Sequence, residues 1–209
     1  AIPVIANVDA SLNMDPADCE SLINEKTRAL LPVHMLGVPA DMDSIMAIAK
    51  KHDLKVMEDN CESVGAKYNG KYLGCIGDAG VFSYDFGKVI TCGEGGMVVT
   101  NDINIDKYAR EYHDHGHENN PKLQRWEDSR SGSGFNFRMT ELQAAVGLVQ
   151  LSKLKKVISK HRKNMKIIKN KINFKKCDLF IDALFGFNFK KKLSKKLKKI
   201  IRIINSKSF

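Results

Sequence analysis

The 209 residues predict an α/β fold: a mainly parallel sheet with helices packed on it. Three observations carry that expectation. Short apolar runs of strand length alternate with stretches whose apolar residues recur at helical spacing. The connections are long enough for right-handed crossovers between parallel strands. Chemically capable residues, Asp59, Ser83 and Lys88, fall at or just past strand ends, where such sheets gather their ligands.

Taken in order, Ile2 to Val8 reads as a short apolar strand, and Asn13-Met14-Asp15-Pro16 supplies a cap and a first-turn proline for a helix through Ile23. Ala29 to Val33 is the next strand. The run DMDSIMAIAKKH places Met42, Ile45, Met46 and Ile48-Ala49 on one helical face, with Asp41 or Asp43 at its start and lysines at its end to suit the dipole. Leu54 to Met57 is a strand ending at Glu58-Asp59. Val81 and Phe82 end another, followed by Ser83. Gly93, Gly95 and Gly96 permit sharp turns before a strand over Met97 to Val99. Ile103 to Tyr112 reads as a helix. In HDHGHENNP the alternating His113, His115 and His117 imitate a metal site, but Gly116 and Asn119-Asn120-Pro121 argue for a loop, and no metal is expected. Lys122 to Ser133 is polar and reads as a mobile lid with Trp126 exposed or half-buried. Thr140, with Glu141 behind it, caps a long helix running past Lys160. Its stripe of Leu142, Ala145, Val146, Val149 and Leu154 packs on the domain or on a second copy.

Lys88 lies between a buried strand and a glycine-rich turn. A lysine so placed loses water around its stem, which disfavours the ammonium form and brings a nucleophilic amine for Schiff-base chemistry within reach. The segment also imitates a phosphate-binding loop through Gly80 and Gly87-Lys88. That reading fails, because the spacing is too long and Val89 stands where a magnesium-ligating Ser or Thr belongs.

Composition sets outer bounds. The length suits one domain, or one domain and a piece of another. The net charge of +10 is an average over two unlike parts: residues 1–150 carry 14 Lys+Arg against 22 Asp+Glu, and 151–209 carry 20 against 2. A basic tail can bind nucleic acid, but this one lacks the arginines and interleaved aromatics of a reading surface. Five cysteines, odd in number and never in a CxxC pair, read as reduced thiols. With no apolar run of transmembrane length and no signal peptide, a cytoplasmic protein without membrane contact is expected.

FSYDFGKVITCGEGGMVVTND closely resembles the lysine-bearing segment of the DegT-type sugar aminotransferases, pyridoxal-phosphate enzymes acting on nucleotide-linked keto sugars. The resemblance extends upstream through LLPVHMLGVPADMDSIMAIAKKHDLKVMEDNCESVGAKYNGKYLGCIGDAG and downstream through HDHGHENNP and GFNFRMTELQAAVGLVQLSKL, covering about residues 1–170. It implies the large domain of a type I pyridoxal-phosphate-dependent transferase. By it, Lys88 holds the cofactor and then moves protons, and Asp59 pairs with the pyridine nitrogen. Ser83 binds the phosphate, Glu62 stands where relatives place Gln or His against the ring, and Asn136 and Arg138 reach across a homodimer interface to the cofactor phosphate or substrate. Glutamate is the implied amino donor. The family also has a segment before position 1 and a small C-terminal domain, so an incomplete chain, weakly active or inactive alone, is expected.

Past residue 170, KCDLFIDALFGFNFKKKLSKKLKKIIRIINSKSF resembles instead an internal piece of the NAD(P)HX epimerase, with Asp182 matching a potassium-binding aspartate and Gly186 to Lys192 its nucleotide-facing loop. An inactive basic strand-helix tail over 171–209 is the expectation. Two alternatives remain open: EDNC also suits the family's dehydratase branch, which replaces the lysine by histidine, and the tail alone would suit a nucleic-acid-binding module.

Overall fold

The computed structural model describes residues 1–171, with side chains through residue 167. Ala1–Ile158 form one compact unit, and of the second, Ser159–Phe209, only the continuation of one helix is described. The tail expected beyond that helix, with Cys177, Asp182 and Gly186 to Lys192, lies outside the described residues.

The first unit is built on a four-stranded sheet in the order β1-β2-β5-β6: β1 (Ala29–Leu30), β2 (Lys55–Asp59), β5 (Ala79–Ser83) and β6 (Gly96–Thr100). β1, β2 and β5 run parallel, while β6 returns antiparallel to β5 with Ser83 opposite Gly96. A small antiparallel hairpin, β3 (Lys67–Tyr68) and β4 (Lys71–Tyr72), turns through Asn69 and Gly70, both at positive φ.

Local chemistry explains the helices. α1 (Pro16–Ser21) starts from Asp15, whose Oδ1 accepts from the Ala17 amide at 2.9 Å, with proline in the first turn. α2 (Met42–Lys51) is capped by Asp41 and buries Met42, Ile45, Ile48 and Ala49 against Leu30, Val56 and Cys19. Each such aliphatic side chain contributes about 1.5–3 kcal/mol. α3 (Ile103–Tyr112) has the bounds that the sequence indicates, and Asp102 caps it by accepting from the Asn104 amide at 2.9 Å. α4 (Glu141–Lys171) begins with a capping box, but Gln143 closes it rather than Glu141: its Oε1 accepts from the Thr140 amide at 2.9 Å while its own amide donates to Thr140 Oγ1.

Two expectations are corrected, and a third is met in part. Ile2 to Val8 is not a strand. An apolar run becomes one only where a partner edge lies beside it, and this segment makes a single bridge, Val8 to Met14, leaving Ile2 92% exposed. The strand over Ala29 to Val33 is regular for two residues only, because Pro32 has no amide to give the ladder, and Val33 rejoins Asp59 by one bridge. The stripe on α4 divides: Gly147 lies near Cys92, and Leu154 and Ile158 rest on Gly65, whereas Leu142, Val146 and Val149 stay exposed.

β2 alternates. Val56 and Glu58 point into the core, and Lys55, Met57 and Asp59 point to the other face. Glu58 is therefore a fully buried carboxylate, and four donors converge on it. Oε1 accepts from the Ile76 and Gly77 amides at 2.7 Å each, and Oε2 accepts from the Gly74 amide at 2.7 Å and from His34 Nε2 at 3.1 Å. Because His34 Nδ1 accepts from the Ala40 amide, its ring proton must stand on Nε2, which donates to Glu58. Burial alone pushes this carboxyl up, but the bonds from His34 and the three amides hold it below its usual 4.5. The loop is pressed close: Gly74 has φ +86, and a Cβ on Gly80 of β5 would fall on the Gly74 backbone.

A group whose carboxyl is depressed in the folded state stabilises above the unfolded value and loses that contribution as pH falls. Glu58→Gln sets an NH2 against amide donors and should cost about 3 kcal/mol in denaturant unfolding at pH 7. The variant should also show a flatter loss of stability below pH 4.5 than the parent.

Candidate active site

The sequence-predicted residues at the strand ends are held by backbone first. Asp59 closes β2: its amide donates to Pro32 O at 2.9 Å and its carbonyl accepts from His34 N at 3.1 Å. The next amide, of Asn60, donates to Val81 O at 2.8 Å and ties the turn to β5. Asn60 and Ser63 are buried and bonded to each other, so the chain after Asp59 is fixed. Asp59 itself is half-buried, and its Oδ1 accepts from the Cys61 amide at 2.9 Å.

Ser83 ends β5, half-buried, with its Oγ accepting from the Asp85 amide at 3.3 Å. That bond uses a lone pair and leaves the hydroxyl proton for a ligand. Lys88 lies on the loop joining β5 to β6. Tyr84 closes the loop's base, with its amide on Gly95 O at 2.8 Å and its carbonyl accepting from Cys92 N at 3.0 Å and Thr91 Oγ1 at 3.1 Å. Ile90 and Cys92 anchor the loop by burial, and Lys88 is half-buried with its amide on Asp85 O at 3.0 Å. Among the described residues its ammonium makes no ion pair.

Cys61, which sequence reasoning missed, links Asp59 and Lys88. Its thiol is pushed up to about 11, by burial and then by Asp59, while the positive charge of Lys88 acts against both. The charges of Asp59 and Lys88 are thus both felt at one thiol just past the end of β2. Glu62 is exposed, and its Oε2 accepts from the amide of Leu36, a residue held at φ 54, so it braces the turn after β1.

Asn136 and Arg138 form a second group. Asn136 bridges Asp114 through the backbone, and Arg138 Nε donates to Asn136 Oδ1 at 3.0 Å. Among the described residues no hydrogen bond or ion pair joins them to Asp59 or Lys88. The three histidines lie in a turn: His115 is exposed at φ 57, whereas His117 is buried with Nδ1 3.3 Å from Asp128 Oδ2. Lys122 to Ser133, expected to be a lid, is pinned by Arg125 to Asp114 and by Asp128 to the amides of Asn119 and Asn120, with Trp126 fully outside.

The chain is similar to known proteins over most of its described length. The DegT/DnrJ/EryC1/StrS aminotransferase family profile matches residues 1–181. GDP-perosamine synthase of Caulobacter vibrioides is 43% identical over 155 residues, 74% of this chain and 40% of that protein. Among solved structures, a mutant GDP-4-keto-6-deoxymannose-3-dehydratase (ColD) with bound GDP-perosamine superposes with a TM-score of 0.74 at 34% identity, covering 83% of this chain and 48% of that one. The E. coli GDP-4-keto-6-deoxy-D-mannose-3-dehydratase with bound hydrated PLP gives 0.69 at 33%, covering 77% and 45%. The chain spans less than half the length of these relatives. No helix among the described residues is long and apolar enough to cross a membrane. Profile, identity and fold agree, and the chain belongs to the DegT/DnrJ/EryC1/StrS aminotransferase family.

Proposed function

We propose that the chain carries the pyridoxal-phosphate site of a cytoplasmic aminotransferase that aminates a keto group on a nucleotide-linked sugar, with glutamate as donor, and that the protein works as a homodimer. The observation that carries this reading is the placement of Asp59 and Ser83 at the ends of the adjacent parallel strands β2 and β5, with Lys88 on the anchored loop that leaves β5. The residues present suit the cofactor: an amine for its aldehyde, a carboxylate for its ring nitrogen, and a hydroxyl proton on Ser83 for its phosphate. Bound there, pyridoxal phosphate supplies an electrophilic carbon and an electron-accepting ring.

The chain's own residues do the rest. Asp59, fixed by its strand end and by the Cys61 amide, would hold the cofactor's ring nitrogen through its carboxylate. Lys88 would hold the cofactor through its amine and, when that amine is free, would serve as the base and acid that moves the substrate's proton. The loop anchored by Ile90 and Cys92 holds that amine at the site while it acts. Glu62 braces the turn after β1 through the Leu36 amide. Asn136 and Arg138, joined to Lys88 by no hydrogen bond or ion pair among the described residues, would serve a phosphate or substrate held by the other subunit. The likeness to a dehydratase supports a second reading, sugar dehydration with the same cofactor. Lys88 favours transfer over it, and product analysis with glutamate and a keto nucleotide sugar separates the two, since only transfer yields an amino sugar.

Adding pyridoxal phosphate to the protein should produce a visible absorbance band that Lys88→Ala abolishes. Survival of the band in the variant overturns the assignment. Asp59→Asn should keep the band and reduce turnover by about 10²–10³-fold. The Cys61 thiol offers a check independent of cofactor. Asp59 raises it and Lys88 lowers it, so Asp59→Asn should speed its alkylation at pH 8 and Lys88→Ala should slow it, read at that site by mass spectrometry. Rates unchanged in both variants would separate Lys88 from Asp59.

A further inference from the structure

α4 carries charge that no acid near it in the sequence answers. From Leu142 to Cys177 there is no Asp or Glu, and between residues 153 and 166 stand six lysines and one arginine. All seven are exposed, and among the described residues none makes an ion pair. Like charges three or four positions apart on a helix repel one another, so this stretch is helical against its own electrostatics, and an anionic surface laid against it relieves the repulsion.

The charges fall in two rows that differ in what stands among them. Lys153, Lys156, Lys160 and Lys163 recur every three or four residues and make one row. Lys155, Arg162 and Lys166 make the other, and Leu148, Leu151 and Met165 share its arc at 70%, 53% and 56% exposure. Leu154 and Ile158, on the neighbouring arc, rest on Gly65. Apolar side chains left in water among cations suit the boundary between headgroups and acyl chains, where basic side chains lay their stems along the apolar layer and keep their charges among phosphates. Nucleic acid suits the helix less. Six of the seven cations are lysines, point charges rather than forks for fixed phosphates, and α4 has no aromatic side chain on which a base could stack.

We propose that α4 lies along the surface of a bilayer containing anionic phospholipid, with Leu148, Leu151 and Met165 in the interfacial layer and Lys155, Arg162 and Lys166 among the headgroup phosphates. The row from Lys153 to Lys163, on the far side of the helix, adds a longer-range attraction that salt screens within about 10 Å. Contact of this kind is peripheral, since no helix among the described residues is long and apolar enough to cross a membrane. It departs from the absence of membrane contact expected of the sequence. The inference does not rest on the cofactor reading and holds whether or not Lys88 takes a cofactor.

The test is co-sedimentation of the full chain with vesicles of phosphatidylcholine alone and of phosphatidylcholine mixed with phosphatidylglycerol, at low and at physiological salt. Binding should appear only with the mixed vesicles and weaken as salt rises. Lys155→Gln, Arg162→Gln and Lys166→Gln combined should weaken it by about a hundredfold, at about fivefold for each charge. Lys153→Gln, Lys156→Gln and Lys163→Gln combined, the same change in charge on the far row, should weaken it by about tenfold or less. Leu151→Ser with Met165→Ser should remove the binding that survives physiological salt. Every substituted position is exposed, and circular dichroism should match the parent. Equal losses from the two triple variants would mean attraction by total charge alone and overturn the proposal. So would binding that ignores both triples and is lost with Lys191→Gln, Lys195→Gln and Lys198→Gln combined, which would put the contact in the tail. Tighter retention on duplex DNA than on the mixed vesicles at the same salt would make α4 a nucleic-acid surface instead.

Discussion

A buried carboxylate sets the architecture. Glu58 sits in the core face of β2, where an unmatched charge is too costly to keep, and the chain answers by bending the Gly74–Gly77 loop and the turn at His34 around it. Each donor that satisfies Glu58 also fixes a piece of backbone. The loop brought in by Gly74 lies against Gly80 and so sets the path into β5, and His34 fixes the turn that follows β1. Strand alternation does the rest, since a carboxylate committed to the core at 58 puts the one at 59 on the opposite face. Adjacent acids thereby acquire different work: one organises the fold, and the other stands free at a strand end.

The same economy governs the loop between β5 and β6. The two strands pair antiparallel over five residues, so their connection must leave from and return to neighbouring points, and Tyr84 seals that base with three polar contacts. A loop closed at its neck and anchored by two buried side chains has few ways to move its remaining residue with chemistry. The loop therefore holds Lys88 in one place, half-buried, with its amide on Asp85 O. Holding a reactive group in place before the ligand arrives is what lets binding energy serve the reaction.

Legibility in the sequence follows the range of each interaction. Caps at Asp15 and Asp41 and the face of α2 were readable because their partners lie within four residues. The turn at Asn69-Gly70 carried a hairpin signal that stood in plain sight but went unread. Ile2 to Val8 misled because apolar content specifies burial, not a partner edge. Lys88, Asp59 and Ser83 could be singled out from strand-end position and from resemblance, but the register that sets Asp59 opposite Val81 depends on backbone pairing between β2 and β5. Glu58 was hidden beside Asp59 although alternation separates them. Asp114 was masked by the histidines around it, and nothing local announces its bond to Arg125, eleven residues on.

Charge distribution explains why the arginines need an anchor. Residues 1–150 hold 14 basic against 22 acidic side chains, so an anionic ligand approaches a part of the chain whose overall field repels it. Net charge cannot supply the attraction, and placement must. Lysines scattered on a flexible surface lose much of their effect to screening within about 8–10 Å, whereas Arg125 and Arg138 are held on one buried carboxylate, Asp114, which fixes their guanidinium forks. Asp114 is to that group what Glu58 is to the sheet: a carboxylate taken out of water so that the groups gathering on it have one place to be.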